Sequence, residues 1–393
     1  MANIFRKIIT ESETETYIES LKLLPSSLAF ATEDGWSITK RRLSGGVSDG
    51  VDAITLDNGA LSFTILPTRG MNLFRGSYHD IPIRWNSPVP APVNPSFVNL
   101  LDHGGFGWLK GMNETLTRCG LNSIGPAGTD EATGEFLTLH GRIANTPAST
   151  VAIEVIAGEK TEIAVTGLVH ETRFFGQHYL LSTRVSTFVG SDTISVRDNV
   201  TNLTDKPQEL ELIYHCNFGA PFLDEGTRLF APAREIVPQT ARAAEDIQTW
   251  SYYKAADPDY TEQCNLMSYY ADSQDKTLAL LVNHLSDKAV AVRWNVRELP
   301  CFTQWKLTSG EHDGYVTGLE PSTAFPNFKS FEREAGRVII LAPGQTRQSG
   351  VQLQFLDNAI KIAAVKQEVE NLAQGRAPQV SDRPKSGWSP AAE

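Results

Sequence analysis

The chain has 393 residues, 41% of them apolar, and a formal net charge of −11. That is enough apolar material for one large folded unit, and the acidic balance excludes a phosphate backbone as partner, so no nucleic acid is expected. No apolar run approaches the ~18 residues needed to cross a bilayer, so no membrane is expected either.

The first segment, residues 1–35, is polar and mixed. It lacks a continuous apolar stretch of the kind a secretory signal carries. Within it "ESETETYIESLKLL" reads as a short N-terminal helix with Tyr17, Ile18, Leu21 and Leu24 on one side. From residue 36 to 357 the texture changes. Short runs rich in Val, Ile, Thr and Phe alternate with polar residues and stop at Gly, Asn, Asp or Pro, as in "DAITLDNGALSFTILPTRG", "TVAIEVIAGEKTEIAVTGLV", "ELELIYH" and "GRVIILAPGQTRQSGVQLQFL". The period is two, and turn signals recur about every 8–12 residues. "DNG" at 57–59 and "IAGEKTEI" read as hairpins. The fold class is therefore all-β, a large twisted antiparallel β-sandwich over residues 36–357. Segment 358–393 follows as a C-terminal helix, with Ile362, Val365, Val369 and Leu372 on one face, and a polar, Pro-rich tail expected to be flexible. No glycine-rich phosphate loop is present. Cys119, Cys216, Cys264 and Cys301 form no CxxC pair and fit free thiols in a reducing, cytoplasmic setting. A homodimer would cover the open sheet edges of such a sandwich.

Residues 84–136 interrupt the pattern: Gly, Pro, Asn and aromatics are dense and strand patterning is weak. A long ordered loop in a compact domain is more often functional than idle. Four segments elsewhere carry reactive side chains at strand-to-turn junctions: "LPTRG" with Arg69, "TLHGRIANTPA" with His140, "YHCNFGAP" with His215 and "YVTGLEPSTAFP" with Glu320. Taken singly, each has an ordinary explanation: a histidine bonded to a carbonyl, a solvated glutamate, an arginine paired with a carboxylate. Two histidines and a glutamate in the same setting, flanked by Gly or Pro, point instead to one concave face.

The order "LHG", "YHCNFG", "GLEP" resembles the aldose 1-epimerases, the galactose-mutarotase-like proteins. "LPTRGMN", "IRWNSP", "TRCGLNSIG", "LHGRIANTPA", "IYHCNFGAP" and "GLEPST" resemble a little-characterised branch of that superfamily, over about residues 45–355. The resemblance implies a galactose-mutarotase-like supersandwich holding a sugar on one face, with no metal and no cofactor. It implies Glu320 as base toward the anomeric hydroxyl, His215 as acid toward the ring oxygen, and His140 as a hydrogen-bonding second histidine. It also implies a substrate-binding arginine, Arg118 by position or Arg69 by the branch's own motif. A carboxylate near His215 would keep it cationic, and Asp224 or Glu225 is close in sequence. Sugar sites carry aromatic platforms, for which Trp108 and Trp305 are the candidates; Lys110 and Asn113 are candidates for binding hydroxyls. The cations Arg69, Arg118 and Lys110 together hint at a sugar acid. Two departures from the mutarotases matter: no aspartate aligns after the second histidine, and the 86–135 loop has no close counterpart. The alternative is a lyase or isomerase acting on an oxidised (keto) sugar or sugar acid on the same scaffold, with or without a metal on His140, His215 and Glu320. A non-catalytic sugar-binding module is a third reading, and would not need all three groups.

Overall fold

The computed structural model describes residues 3–392. Alternating apolar and polar residues produce two very large, almost wholly antiparallel sheets, one of 10 strands and one of 14. The smaller runs from Arg228–Phe230 through Thr346–Leu356 and Thr161–Thr172 to Asn3–Glu11 and Thr16–Tyr17. The larger has Gln263–Tyr269, Cys301–Leu307, Val316–Ser322, Gln208–Phe218 and Leu116–Leu121 side by side.

Period two decides what fills the space between the sheets. Ile153, Val165, Leu181, Val196 and Val351 from one sheet share a single core with Leu212, Tyr214, Cys216, Phe218, Phe302 and Leu319 from the other. The opposite face of the larger sheet carries a second, smaller cluster. There Ile213 and Val316 pack with Trp85, Trp108 and Met112 from the long loop. The loop thus roofs the outer face of the sheet.

The C-terminal helix forms over Ala359–Ala373, capped by the Asn358 side chain, which accepts from Lys361 N at 3.0 Å. Ile362, Val365 and Val369 are buried against Leu278, Leu280 and Val282. No helix among the described residues is long and apolar enough to cross a membrane.

Two expectations are corrected. The stretch read as an N-terminal helix is extended: Asn3–Glu11 pairs with Thr150–Ala157, Thr16–Tyr17 turns back onto it, and Leu21–Leu23 pairs with Ser37–Arg42 of the other sheet. A helix this short is marginal alone, and two open sheet edges give its backbone groups better partners. The C-terminal tail is also held, not loose. Gln379–Val380 pairs in parallel with Glu235–Ile236, and Ser389 is fully buried.

Candidate active site

In the strand Gln208–Phe218, Tyr214 and Cys216 face the inter-sheet core, so His215 faces outward beneath the loop roof. Its neighbour Val316–Ser322 is registered with Ile213 opposite Ser322 and Cys216 opposite Leu319. The same register sets His215 opposite Glu320. One strand further, Thr303 lies opposite Glu320 and Trp305 opposite Gly318; Cys264 then lies opposite Trp305. Four adjacent strands therefore present His215, Glu320, Trp305 and Cys264 on one face. A Cβ on Gly318 would lie 2.3 Å from Glu320 Oε1 and 3.1 Å from His215 Cε1, so this position must lack a side chain for the pair to sit as it does.

These residues floor a pocket of about 380 Å³. His140, Trp108, Phe106, Leu109 and Met112 wall it on the loop side, and Gln239, Glu262 and Pro326 on the other. His140 has a left-handed backbone, φ 57°, a conformation that surrounding structure must impose. Its amide donates to Gly125 O at 3.1 Å and its carbonyl accepts from Gly120 N at 3.0 Å. Its Nδ1 meets Ile124 O at 2.7 Å. A carbonyl can only accept, so Nδ1 carries the proton and Nε2 is left as an acceptor. The rings of His140 and His215 are 5.7 Å apart, with Trp108 packed edge-on to His140 at 4.7 Å and Trp305 edge-on to His215 at 5.5 Å. Trp305 is fixed from the rim, where its Nε1 donates to Glu262 Oε2 at 2.7 Å.

His215 Nε2 stands 3.3 Å from Glu320 Oε1. The contact is close but not aligned as a hydrogen bond, and Glu320 Oε1, His215 Nδ1 and Trp108 Nε1 are all buried without a partner. Orphaned polar atoms are uncommon in protein interiors, and all three of these belong to residues that line this pocket. Burial disfavours charge on each group. It pushes His215 down to about 3 and His140 down to about 4, and raises Glu320 well above the usual carboxyl range.

The structure brings together five of the sequence-derived candidates: Glu320, His215, His140, Trp108 and Trp305. The other four lie elsewhere. Arg118 sits opposite Tyr214 in register and so faces the inter-sheet core. Its guanidinium there bonds both oxygens of Asp198, at 2.5 and 2.9 Å, and Thr183 Oγ1 at 2.7 Å. Arg69 is buried and spent on Glu114, Val93 O at 3.0 Å, Asn145 Oδ1 at 2.8 Å and Gly111 O at 2.9 Å. It fastens the roofing loop and does not enter the pocket. Asn113 is buried in the same loop, donating to Val89 O and Ala91 O. Lys110 is a surface residue paired with Asp102. Nor does Asp224 serve His215: it binds His284 Nδ1 and Thr227 Oγ1, each at 2.5 Å. The carboxylate beside His215 is Glu320 itself.

Three polar pocket residues, Gln239, Glu262 and Cys264, were not among the candidates. None lies in a distinctive motif; only the register that sets Cys264 beside Trp305 reveals them. No Lys or Arg lines the pocket. No group of three or more His, Cys, Asp or Glu among the described residues is spaced to hold a metal ion.

Two stacked giant sheets with a pocket on the outer face of one of them are the architecture of the aldose 1-epimerase-like, or galactose-mutarotase-like, proteins. A structure from Klebsiella pneumoniae subsp. pneumoniae, described as a candidate aldose 1-epimerase, matches at 34% identity and TM-score 0.94, over 98% of this chain and 100% of its own. A galactose mutarotase-like protein from Clostridium acetobutylicum shares the fold at 15% identity and TM-score 0.54, over 81% of this chain and 98% of its own. A galactose mutarotase related enzyme from Lactobacillus acidophilus does so at 14% identity and TM-score 0.50, over 78% and 98%. Within this class the chain belongs to the family described as a domain of unknown function (DUF4432), whose model matches residues 48–355. No curated protein matches the chain.

Proposed function

We propose that the protein is a carbohydrate epimerase that opens and recloses the ring of an aldose at C1, with Glu320 as base and His215 as acid. The observation that carries this reading is the 3.3 Å approach of His215 Nε2 to Glu320 Oε1 at the floor of the pocket. The anomeric hydroxyl oxygen and the ring oxygen of an aldose are bonded to the same carbon. A base for one and an acid for the other must therefore be neighbours. A carboxyl and an imidazole at that spacing supply one acceptor and one donor. An anomeric hydroxyl that donates to Glu320 stabilises its carboxylate form, and His215 donates to the ring oxygen. Proton transfer in both directions breaks the C1–O5 bond. Rotation about C1–C2 and the reverse transfers close the ring on the other face. His140 contributes a lone pair at Nε2 for a sugar hydroxyl, and Trp108 and Trp305 contribute ring surface for C–H faces.

The charge of the pocket supports a neutral sugar over a sugar acid. The cations that suggested an acid are bonded elsewhere, and the pocket's ionisable lining includes Glu262 and Glu320 with no Lys or Arg.

The test is Glu320→Gln, which keeps shape but cannot take a proton. Saturation-exchange NMR on a panel of neutral aldoses and uronic acids is expected to show kcat lowered by about 10²–10⁴-fold, with sugar binding little changed. Turnover persisting in this variant would remove Glu320 as the base.

A further inference from the structure

We infer that the C-terminal segment Lys385–Ser389 is a working part of the pocket, positioning the wall formed by Gln239 and Pro326. The inference rests on reading this pocket as the substrate site. Segment 385–389 folds into a tight turn, with Trp388 N and Ser389 N both donating to Lys385 O. From there it grips the wall at several points. Ser389, fully buried, donates its Oγ proton to Gln239 O at 2.5 Å. The Trp388 ring stacks on Phe325 at 5.0 Å, and Trp388 O accepts from Asn327 Nδ2 at 2.9 Å. Asn327 Oδ1 in turn accepts from Gln239 Nε2 at 3.1 Å. Gln239 is thus held by the tail at its backbone and, through Asn327, at its side chain.

The grip reaches the reacting groups by a short route. Gly125, which lines the pocket, lies so close to Asn327 that a Cβ there would sit 1.9 Å from Asn327 O. Gly125 O accepts the backbone amide of His140. On the other side, Gln239 N donates to Cys264 O at 2.9 Å, tying the wall to the strand beneath Trp305. A tail that only covered the sheet edge would not need its buried contacts directed at the pocket residue Gln239 and at Phe325 and Asn327, which flank the pocket residue Pro326. Trp388 and Ser389 are therefore positioning residues, acting through that wall.

Full-length W388A, S389A and W388F proteins test this with two readouts. In the sugar assay, W388A and S389A are expected to raise KM by about tenfold with kcat within about threefold, since a wall that binds is loosened while the acid–base pair stays intact. W388F, which retains the stack on Phe325, stays near wild type. The second readout needs no sugar: alkylation of the four free cysteines by iodoacetamide, resolved by mass spectrometry. W388A is expected to speed modification of the pocket thiol Cys264 by about tenfold through local opening of its wall, leaving unchanged Cys119 beneath the roofing loop and Cys216 in the inter-sheet core. Unchanged KM and unchanged Cys264 reactivity would overturn the proposal, and so would equal acceleration at all four thiols, which signals global destabilisation. If wild type turns over no sugar on the panel, the epimerase reading fails and the alkylation pattern alone decides whether the tail holds this wall.

Discussion

At the scale of single residues, the chemistry depends on burial more than on residue type. A histidine in water titrates near 6.5; here burial holds His140 down to about 4 and His215 down to about 3. As pH falls through about 4, His140 gains a proton at Nε2 and stops accepting from a hydroxyl. Lower still, through about 3, His215 also gains a proton. The expected profile of kcat/KM, after subtraction of spontaneous mutarotation, has an acid limb near pH 4. An acid limb centred near 6.5 would mean that a solvated histidine governs the reaction.

At the scale of elements, the site is a product of strand register. His215, Glu320 and Trp305 meet because three neighbouring strands align to the residue, and a slip of one would turn each side chain to the other face. Gly318 is the weak point of this arrangement. It lies opposite Asn217 on one side and Trp305 on the other, with Glu320 Oε1 filling the place of its missing Cβ. Gly318→Ala is expected to displace the carboxyl by a fraction of an ångström or more and to lower kcat/KM by about 10²-fold, a typical cost of misplacing a reacting group. Circular dichroism should show the sheets intact. Wild-type activity in this variant would show that the observed His215–Glu320 spacing is not needed. The roofing loop is the second such element: Arg69 draws Val93, Gly111, Glu114 and Asn145 together, which keeps Trp108 and Met112 over the pocket.

At the scale of the molecule, a buried ion pair joins the two sheets. Arg118 belongs to the larger sheet and Asp198 to the smaller, and Tyr214 and Ser349 complete the buried network between them. Removing one partner leaves the other charge unmatched in the interior, so Arg118→Met is expected to destabilise the fold by roughly 3–5 kcal/mol. Denaturant unfolding measures this. The folded fraction should keep its affinity for sugar, because the guanidinium lies on the face turned away from the pocket. The reverse result, full stability with lost sugar binding, would return Arg118 to the list of substrate ligands.

Period-two patterning was enough to read an all-β sandwich, and a stripe at helical spacing the C-terminal helix, because both are local features. His215 and Glu320, expected where strands break into turns, lie within Gln208–Phe218 and Val316–Ser322. Motif texture alone misjudged Arg69 and Arg118. A conspicuous arginine looks the same whether it faces a ligand or anchors a loop, and in "LTRCGL" Arg118 differs from its outward-facing neighbours Thr117 and Cys119 only by parity. The same limit concealed Gln239, Glu262 and Cys264, whose roles depend on what lies across a strand or at the end of the chain. Sequence alone determined the all-β class and which side chains had the chemistry. Tertiary structure decided how the N-terminal segment and the tail pair and which side chains share a face, since register and the docking of the tail are set by contacts between segments far apart in the chain.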